Sequence, residues 1–133
     1  MKTLKHFING HYVAGSSEDS FELVSPVDGE TYAISPNANE AEVEQAYSAA
    51  EAAFSIWRKS TPAQRQKALL RLADEIERNV ERLVTAQSQE TGQLRHFIEK
   101  EEIAASCDAI RFFAGAARCL EGKAAGEYSA GFT

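Results

Sequence analysis

The chain has 133 residues, 44% hydrophobic and 26% charged, the proportions of a globular protein and not of a disordered one. No apolar run of about 18 residues exists to cross a bilayer, and the N-terminus lacks the apolar core of a secretory signal. The net charge of −6 is the wrong sign for tracking a phosphate backbone, so neither a membrane nor a nucleic acid is an expected partner. That charge is uneven. Residues 1–57 carry nine acids against Lys2 and Lys5, whereas residues 58–133 carry twelve bases against eleven acids, which reads as a solvated acidic face.

Phe7-Ile8-Asn9-Gly10-His11-Tyr12-Val13 sets two β-favouring runs around Asn-Gly, the pair a type I′ hairpin turn requires. A polar loop over 15–20 leads to a strand at Phe21–Val24, stopped by Ser25-Pro26 and the turn Val27-Asp28-Gly29. Another short strand runs from Thr31 to Ile34 and ends before Pro36. Residues 1–36 therefore read as strands and turns.

Four helices follow. The first, over 39–58, opens with Asn39 and Glu42 spaced as a capping box. Val43, Ala46, Tyr47, Ala50, Phe54 and Trp57 form one apolar face, expected to dock on a larger surface. The second, over 61–78, has Thr61 as cap, Pro62 at the first position and Gln64 closing the box, with a stripe of Leu69, Leu72, Ala73, Ile76 and Val80. Asn79 is expected to cap the third, over 79–91, which Gly92 ends. The fourth is predicted as one helix over 94–120. Its two stripes, Ile103/Cys107/Ile110/Ala114/Ala117 and Ile98/Ala105/Ala109/Phe112/Ala116, predict burial on two sides. About 27 helical residues measure about 40 Å, longer than a compact domain of this size is wide, so further sequence is expected to cover it. Residues 122–133 read as a strand seeking a partner or a frayed end.

Cys107 and Cys119 would stand about 18 Å apart on one helix, too far for a disulfide. Free thiols and the lack of a signal place the protein in the cytoplasm. Both cysteines read as buried small hydrophobes, since neither has a histidine at helical contact spacing to act as base. Zinc spacing and a phosphate-binding glycine loop are absent. Glu99, Glu101 and Glu102 read as a solvated cluster. The residues alone give an α/β chain, a hairpin and short strands followed by four helices, without an active site.

Phe7-Ile8-Asn9-Gly10, Ser25-Pro26-Val27-Asp28-Gly29-Glu30, Ala46 to Trp57, Thr61-Pro62-Ala63-Gln64-Arg65, Leu72-Ala73-Asp74, Glu90-Thr91-Gly92 and Arg111 to Arg118, in this order and spacing, resemble the N-terminal third of the NAD(P)-dependent aldehyde dehydrogenases. The stretch from Arg111 to Tyr128 is similar to that of the γ-aminobutyraldehyde dehydrogenases, relatives of the betaine aldehyde enzymes. The resemblance implies that residues 1–121 are the first part of a Rossmann-like cofactor domain and that 122–133 begin an oligomerisation arm. It implies oxidation of an aldehyde, an aminoaldehyde by this likeness, to a carboxylate with NAD or NADP in a homo-oligomer. The family's nucleophilic cysteine, general-base glutamate and cofactor-binding strands match nothing here, so the 133 residues alone are expected to be inactive, to bind no cofactor strongly and to expose apolar surface. By the same resemblance a monovalent cation would take the Leu23 carbonyl and the Glu90 carboxylate, and Glu101 and Ala105 would line the substrate tunnel. The rival reading is a short, non-enzymatic paralogue serving as a binding or assembly module.

Overall fold

The computed structural model describes residues 1–119. They form two compact units, Met1–Lys59 with Gln89–Gly92, and Ser60–Ser88 with the residues from Gln93 onward.

In the first unit, β1 (Lys2–Thr3), β4 (Ser20–Val24) and β5 (Thr31–Pro36) make a three-stranded sheet in the order β1-β5-β4. β5 pairs parallel with β1, Lys2 opposite Ala33, and antiparallel with β4, Leu23 opposite Ala33, with a register shift between Leu23 and Val24. β1 was not anticipated; two residues carry no local strand signal and are ordered by β5. Pro36, expected beyond the strand, is its last residue, a sheet-end position that proline's missing amide tolerates. β2 (His6–Ile8) and β3 (His11–Val13) form the hairpin. Its turn places Asn9 at φ 51° and Gly10 at φ 78°, the left-handed pair that Asn-Gly supplies at little cost, and Phe7 and Tyr12 meet edge to face, centroids 5.2 Å apart.

Helix α1 (Glu40–Trp57) starts on a complete capping box: Asn39 Oδ1 accepts from the Glu42 amide at 2.9 Å, and the Asn39 amide donates to Glu42 Oε2 at 3.0 Å. Glu42 also accepts from the Ser16 amide at 2.8 Å and hydroxyl at 3.0 Å, which ties the loop after β3 to the helix start. Glu42 is the only buried residue of α1, while Tyr47, Phe54, Ile56 and Trp57 are exposed. The apolar face thus lies open. Besides Glu42, the buried residues of this unit are Ala33 and Ser25, too little apolar material for a core.

The second unit holds α2 (Pro62–Arg78), most of α3 (Val80–Thr91), α4 (Arg95–Phe97), a π-helical segment (Ile98–Ile103) and α5 (Ala104–Ala116). Thr61 and Gln64 complete the second capping box. Asn79 does break the helical run, but its side-chain amide donates to the Glu75 carbonyl at 2.8 Å and so closes α2 instead of capping α3. Of the expected core stripe, Ala73 is fully buried, whereas Leu72 is exposed. The Cys107 thiol approaches the Ala73 carbonyl at 3.8 Å, and Arg111 binds Glu77 and Asp74 of α2.

The single helix expected over 94–120 starts as expected, with Leu94 as its cap, but is corrected in the middle and at its C-terminal end. It is interrupted by the π-helical turn and closes at Ala116, where Arg118 and Cys119 donate to the carbonyls three residues back, Gly115 and Ala116, tightening the last turn. Residues 120–133, including the expected arm, lie outside the described residues. Cys119 is exposed, contrary to its reading as a buried hydrophobe; Cys107 is buried. The two-sided burial also fails. Ile98 joins Ile103, Cys107 and Val84 in one core, with Ile76, Val80 and Leu83 against it, whereas Ala105, Ala109, Phe112 and Ala116 are exposed. In an α-helix, residues five apart point about 140° away from each other; the i→i+5 repeat of a π turn brings Ile98 and Ile103 to the same side.

Two stability predictions follow from this packing. Ile98→Ala empties a fully buried position and is expected to cost about 2–5 kcal/mol in a denaturant titration, more than any effect of Phe112→Ala, whose ring is already in solvent. The Asn39 and Ser16 amides hold the Glu42 carboxyl below its ordinary value of 4.5. A carboxyl lowered by folding contributes stability that is complete above the unfolded value and fades as pH falls through the folded one. Thermal melts should therefore lose midpoint below about pH 4.5, and Glu42→Gln should flatten that slope.

Candidate functional site

Two places collect the residues that the sequence singles out. The first is in the first unit, around the Ser25-Pro26 turn. Leu23 is half-buried on β4, next to the register shift, the kind of irregularity that re-aims backbone groups. The following turn is closed by the Gly29 amide on the Ser25 carbonyl at 2.8 Å, the Ser25 amide on the Glu30 carbonyl at 2.9 Å and the Val27 amide on Ser25 Oγ at 3.3 Å. The Glu30 amide on Asp28 Oδ1, 3.0 Å away, holds the Asp28 carboxyl below the usual carboxylate range. Gly92, at φ 74°, ends α3 so close to this turn that a Cβ on it would stand 3.3 Å from Pro26 Cγ. The chain end bearing Glu90 therefore packs in the same unit as Leu23. Glu90 is exposed and makes no hydrogen bond or ion pair among the described residues. A carbonyl and a free carboxylate are both hard oxygen donors, suited to a hard cation. Among the described residues no group of three His, Cys, Asp or Glu side chains could hold a metal ion.

The second place is the π turn of the second unit. Here the three acids that read as one solvated cluster have three different fates. Glu99 pairs with Lys100 at 2.8 Å, which holds the Glu99 carboxyl low and pushes the lysine up. Glu102 is half-buried and accepts from Gln93 Nε2 at 2.8 Å and from Gln87 Nε2. Glu101 is exposed and has no hydrogen bond or ion pair among the described residues. Ala105, one helical turn on, is exposed too, and so is Phe112, which repeats on the same face seven residues later. The sequence spacing puts Phe112 on one stripe with Ala105, as expected, but that stripe is exposed and not buried.

A nucleophile is not among these groups. Burial pushes the Cys107 thiol up, away from the reactive thiolate, and Cys119 has no base beside it in sequence. At the N-termini of α1 and α2 the capping boxes engage the amides of Asn39 and Glu42 and of Thr61 and Gln64. No helix among them is long and apolar enough to cross a membrane.

Comparison with known proteins identifies the scaffold. The chain is 35% identical over 118 residues to a long-chain-aldehyde dehydrogenase of Acinetobacter sp, covering 89% of this chain and 24% of that protein. The crystal structure of an NAD-dependent benzaldehyde dehydrogenase from Corynebacterium glutamicum superposes with a TM-score of 0.82 at 28% identity, over 96% of this chain and 28% of the other. The NAD+ complex of an aldehyde dehydrogenase from Bacillus cereus superposes with a TM-score of 0.78 at 29% identity, over 86% and 24%. The chain thus spans about a quarter of the length of the relatives it matches. The model of the aldehyde dehydrogenase family matches residues 12–132, and the chain belongs to that family.

Proposed function

We propose that these residues are the scaffold of an aldehyde dehydrogenase that oxidises an aminoaldehyde to its carboxylate with NAD or NADP. The match to the family across residues 12–132 carries this reading. In it, 1–121 are the first part of the cofactor domain, 122–133 lead into an oligomerisation strand, and the protein is a cytoplasmic homo-oligomer. The cofactor, when bound, would accept the hydride. The chain's own contribution is to recruit and position. Glu101 is a carboxylate with no partner among the described residues, one helical turn from the small side chain of Ala105, so it leaves room for a substrate and attracts an ammonium-bearing one. Exposure limits that attraction through screening. The Leu23 carbonyl and the Glu90 carboxylate would hold a monovalent cation next to the Ser25-Pro26 turn, completed by ligands from elsewhere.

A second reading is a short non-enzymatic paralogue that binds partners through Tyr47, Phe54, Ile56 and Trp57, which stand exposed on α1, an apolar surface of the kind that marks association and that the first reading expects as well. Both readings expect no turnover from the 133 residues alone, so they separate in aldehyde oxidation by the longer polypeptide, which only the first expects.

Supplied with NAD and an aldehyde, the 133 residues alone are expected to give no turnover, and measurable turnover would overturn the scaffold reading. In the longer polypeptide that carries them, Glu101→Gln is expected to raise KM for an ω-aminoaldehyde about 2- to 5-fold relative to an uncharged aldehyde of equal length, the scale of an exposed charge pair. An unchanged ratio would remove Glu101 from the substrate site.

A further inference from the structure

The hairpin turn brings together two groups that nothing else in the fold engages. Asn9 and Gly10 are both exposed, and neither the Asn9 carboxamide nor the Gly10 amide makes a hydrogen bond among the described residues. A Cβ built on Gly10 would meet nothing within 4 Å, so the approach to its amide nitrogen is open. The chain's other asparagines differ. Asn37, Asn39 and Asn79 precede Ala38, Glu40 and Val80, whose side chains crowd that approach. The Asn39 carboxamide is also held by Ser16 and the Glu42 amide, and that of Asn79 by the Glu75 carbonyl. Asp28-Gly29 repeats the pattern of an acid derivative before glycine, but there the Gly29 amide is engaged by the Ser25 carbonyl at 2.8 Å.

The strands that hold the Asn9-Gly10 turn are short. Among the described residues β2 and β3 pair only with each other, over three residues each, and Phe7 and Tyr12 are exposed. His6, 3.7 Å from Glu42, ties the open end of the hairpin to α1 and leaves the turn unsupported. A lone two-stranded hairpin is marginal in water, so opening of this turn lies at the low end of the scale of local unfolding.

We infer that Asn9 is a site of spontaneous deamidation through a succinimide. When the turn opens, the Gly10 amide nitrogen gives its proton to solvent and attacks the side-chain carbonyl carbon of Asn9. The new N–C bond closes a five-membered ring, and the side-chain nitrogen leaves as ammonia. Water then opens the ring at either carbonyl. Attack on the side-chain carbonyl leaves an aspartate; attack on the main-chain carbonyl leaves an isoaspartate, whose backbone runs through the former side chain and is longer by a methylene. The sum is one water consumed and one ammonia released, with no oxidant or cofactor. Aspartate tolerates the left-handed position as asparagine does. Isoaspartate does not fit, because a two-residue loop sets the strand register, and the added methylene breaks the pairing of Phe7 with Tyr12.

The test is incubation of the folded 133-residue chain in warm neutral buffer beside the same chain in urea, followed by fragmentation mass spectrometry. The mass gain of an amide turned acid is expected at Asn9 and not at Asn37, Asn39 or Asn79, with isoaspartate among the products. Its rate in the folded chain should lie within about tenfold of the rate in urea, the cost of a marginal local opening. Asn9→Asp, which keeps the turn, should show no gain. In the isoaspartate form, hydrogen exchange of the residue 6–13 amides is expected to reach the unprotected rate while α2 is unchanged. A folded-chain rate more than about tenfold below that in urea, a gain without isoaspartate, or an isoaspartate form with the hairpin still protected overturns the proposal.

Discussion

An α-helix cannot bury residues five apart against one neighbour, and the core of the second unit buries Ile98 and Ile103 together with Val84 and Cys107. The extra residue accommodated in the π turn reconciles the two. From it follow the burial of Cys107 one α-turn after Ile103, the contact of its thiol with the Ala73 carbonyl, and the position of Arg111 one turn further, where its guanidinium reaches Glu77 and Asp74. Those two carboxylates keep the guanidinium charged, and it in turn holds the Glu77 carboxyl low. The opposite face, with Ala105, Ala109 and Phe112, is thereby left open.

The first unit is organised on different terms. Its central buried group is a carboxylate, Glu42, and burying a charge is costly unless donors surround it. The Ser16 amide and hydroxyl and the Asn39 amide provide them, and His6 Nε2 lies 3.7 Å from Glu42 Oε2. The network fixes the loop after the hairpin to the start of α1 while the apolar side chains of that helix face outward. Local hydrogen bonding and not hydrophobic burial sets this unit's geometry.

Features encoded by neighbouring residues were legible in the sequence. Asn9-Gly10 specified the hairpin, and Asn39/Glu42 and Thr61/Gln64 specified two helix starts, because each signal is a steric or hydrogen-bonding demand within four residues. Features set by distant residues were not. β1 exists because β5 offers it an edge. The π turn arises from two isoleucines meeting Val84 across the unit, and the α periodicity of the sequence placed Ile98 on the wrong stripe. Asn79 had the residue type of a cap, but which helix it served depended on its own backbone, at φ −112° and ψ 18°, from which its side chain turned back to Glu75. The candidate site divides in the same way. Glu101 and Ala105 were reached through the family resemblance, as were Leu23 and Glu90. Nothing in the spacing of Gln87, Gln93 and Glu102 hints that they converge.

The acidic triplet shows what a composition rule leaves out. Consecutive acids in a helix's first turns repel one another and prefer water, which treats Glu99, Glu101 and Glu102 alike. The π turn separates them: Glu99 finds its own neighbour Lys100, Glu102 is drawn toward two amides, that of Gln87 on α3 and that of Gln93 in the loop after it, and Glu101 is left between them, uncompensated among the described residues. An uncompensated carboxylate gains nothing for this unit's own stability. Its field extends over about 8–10 Å at physiological salt, enough to act on a cation arriving at the face shared with Ala105 and too short to act on much else.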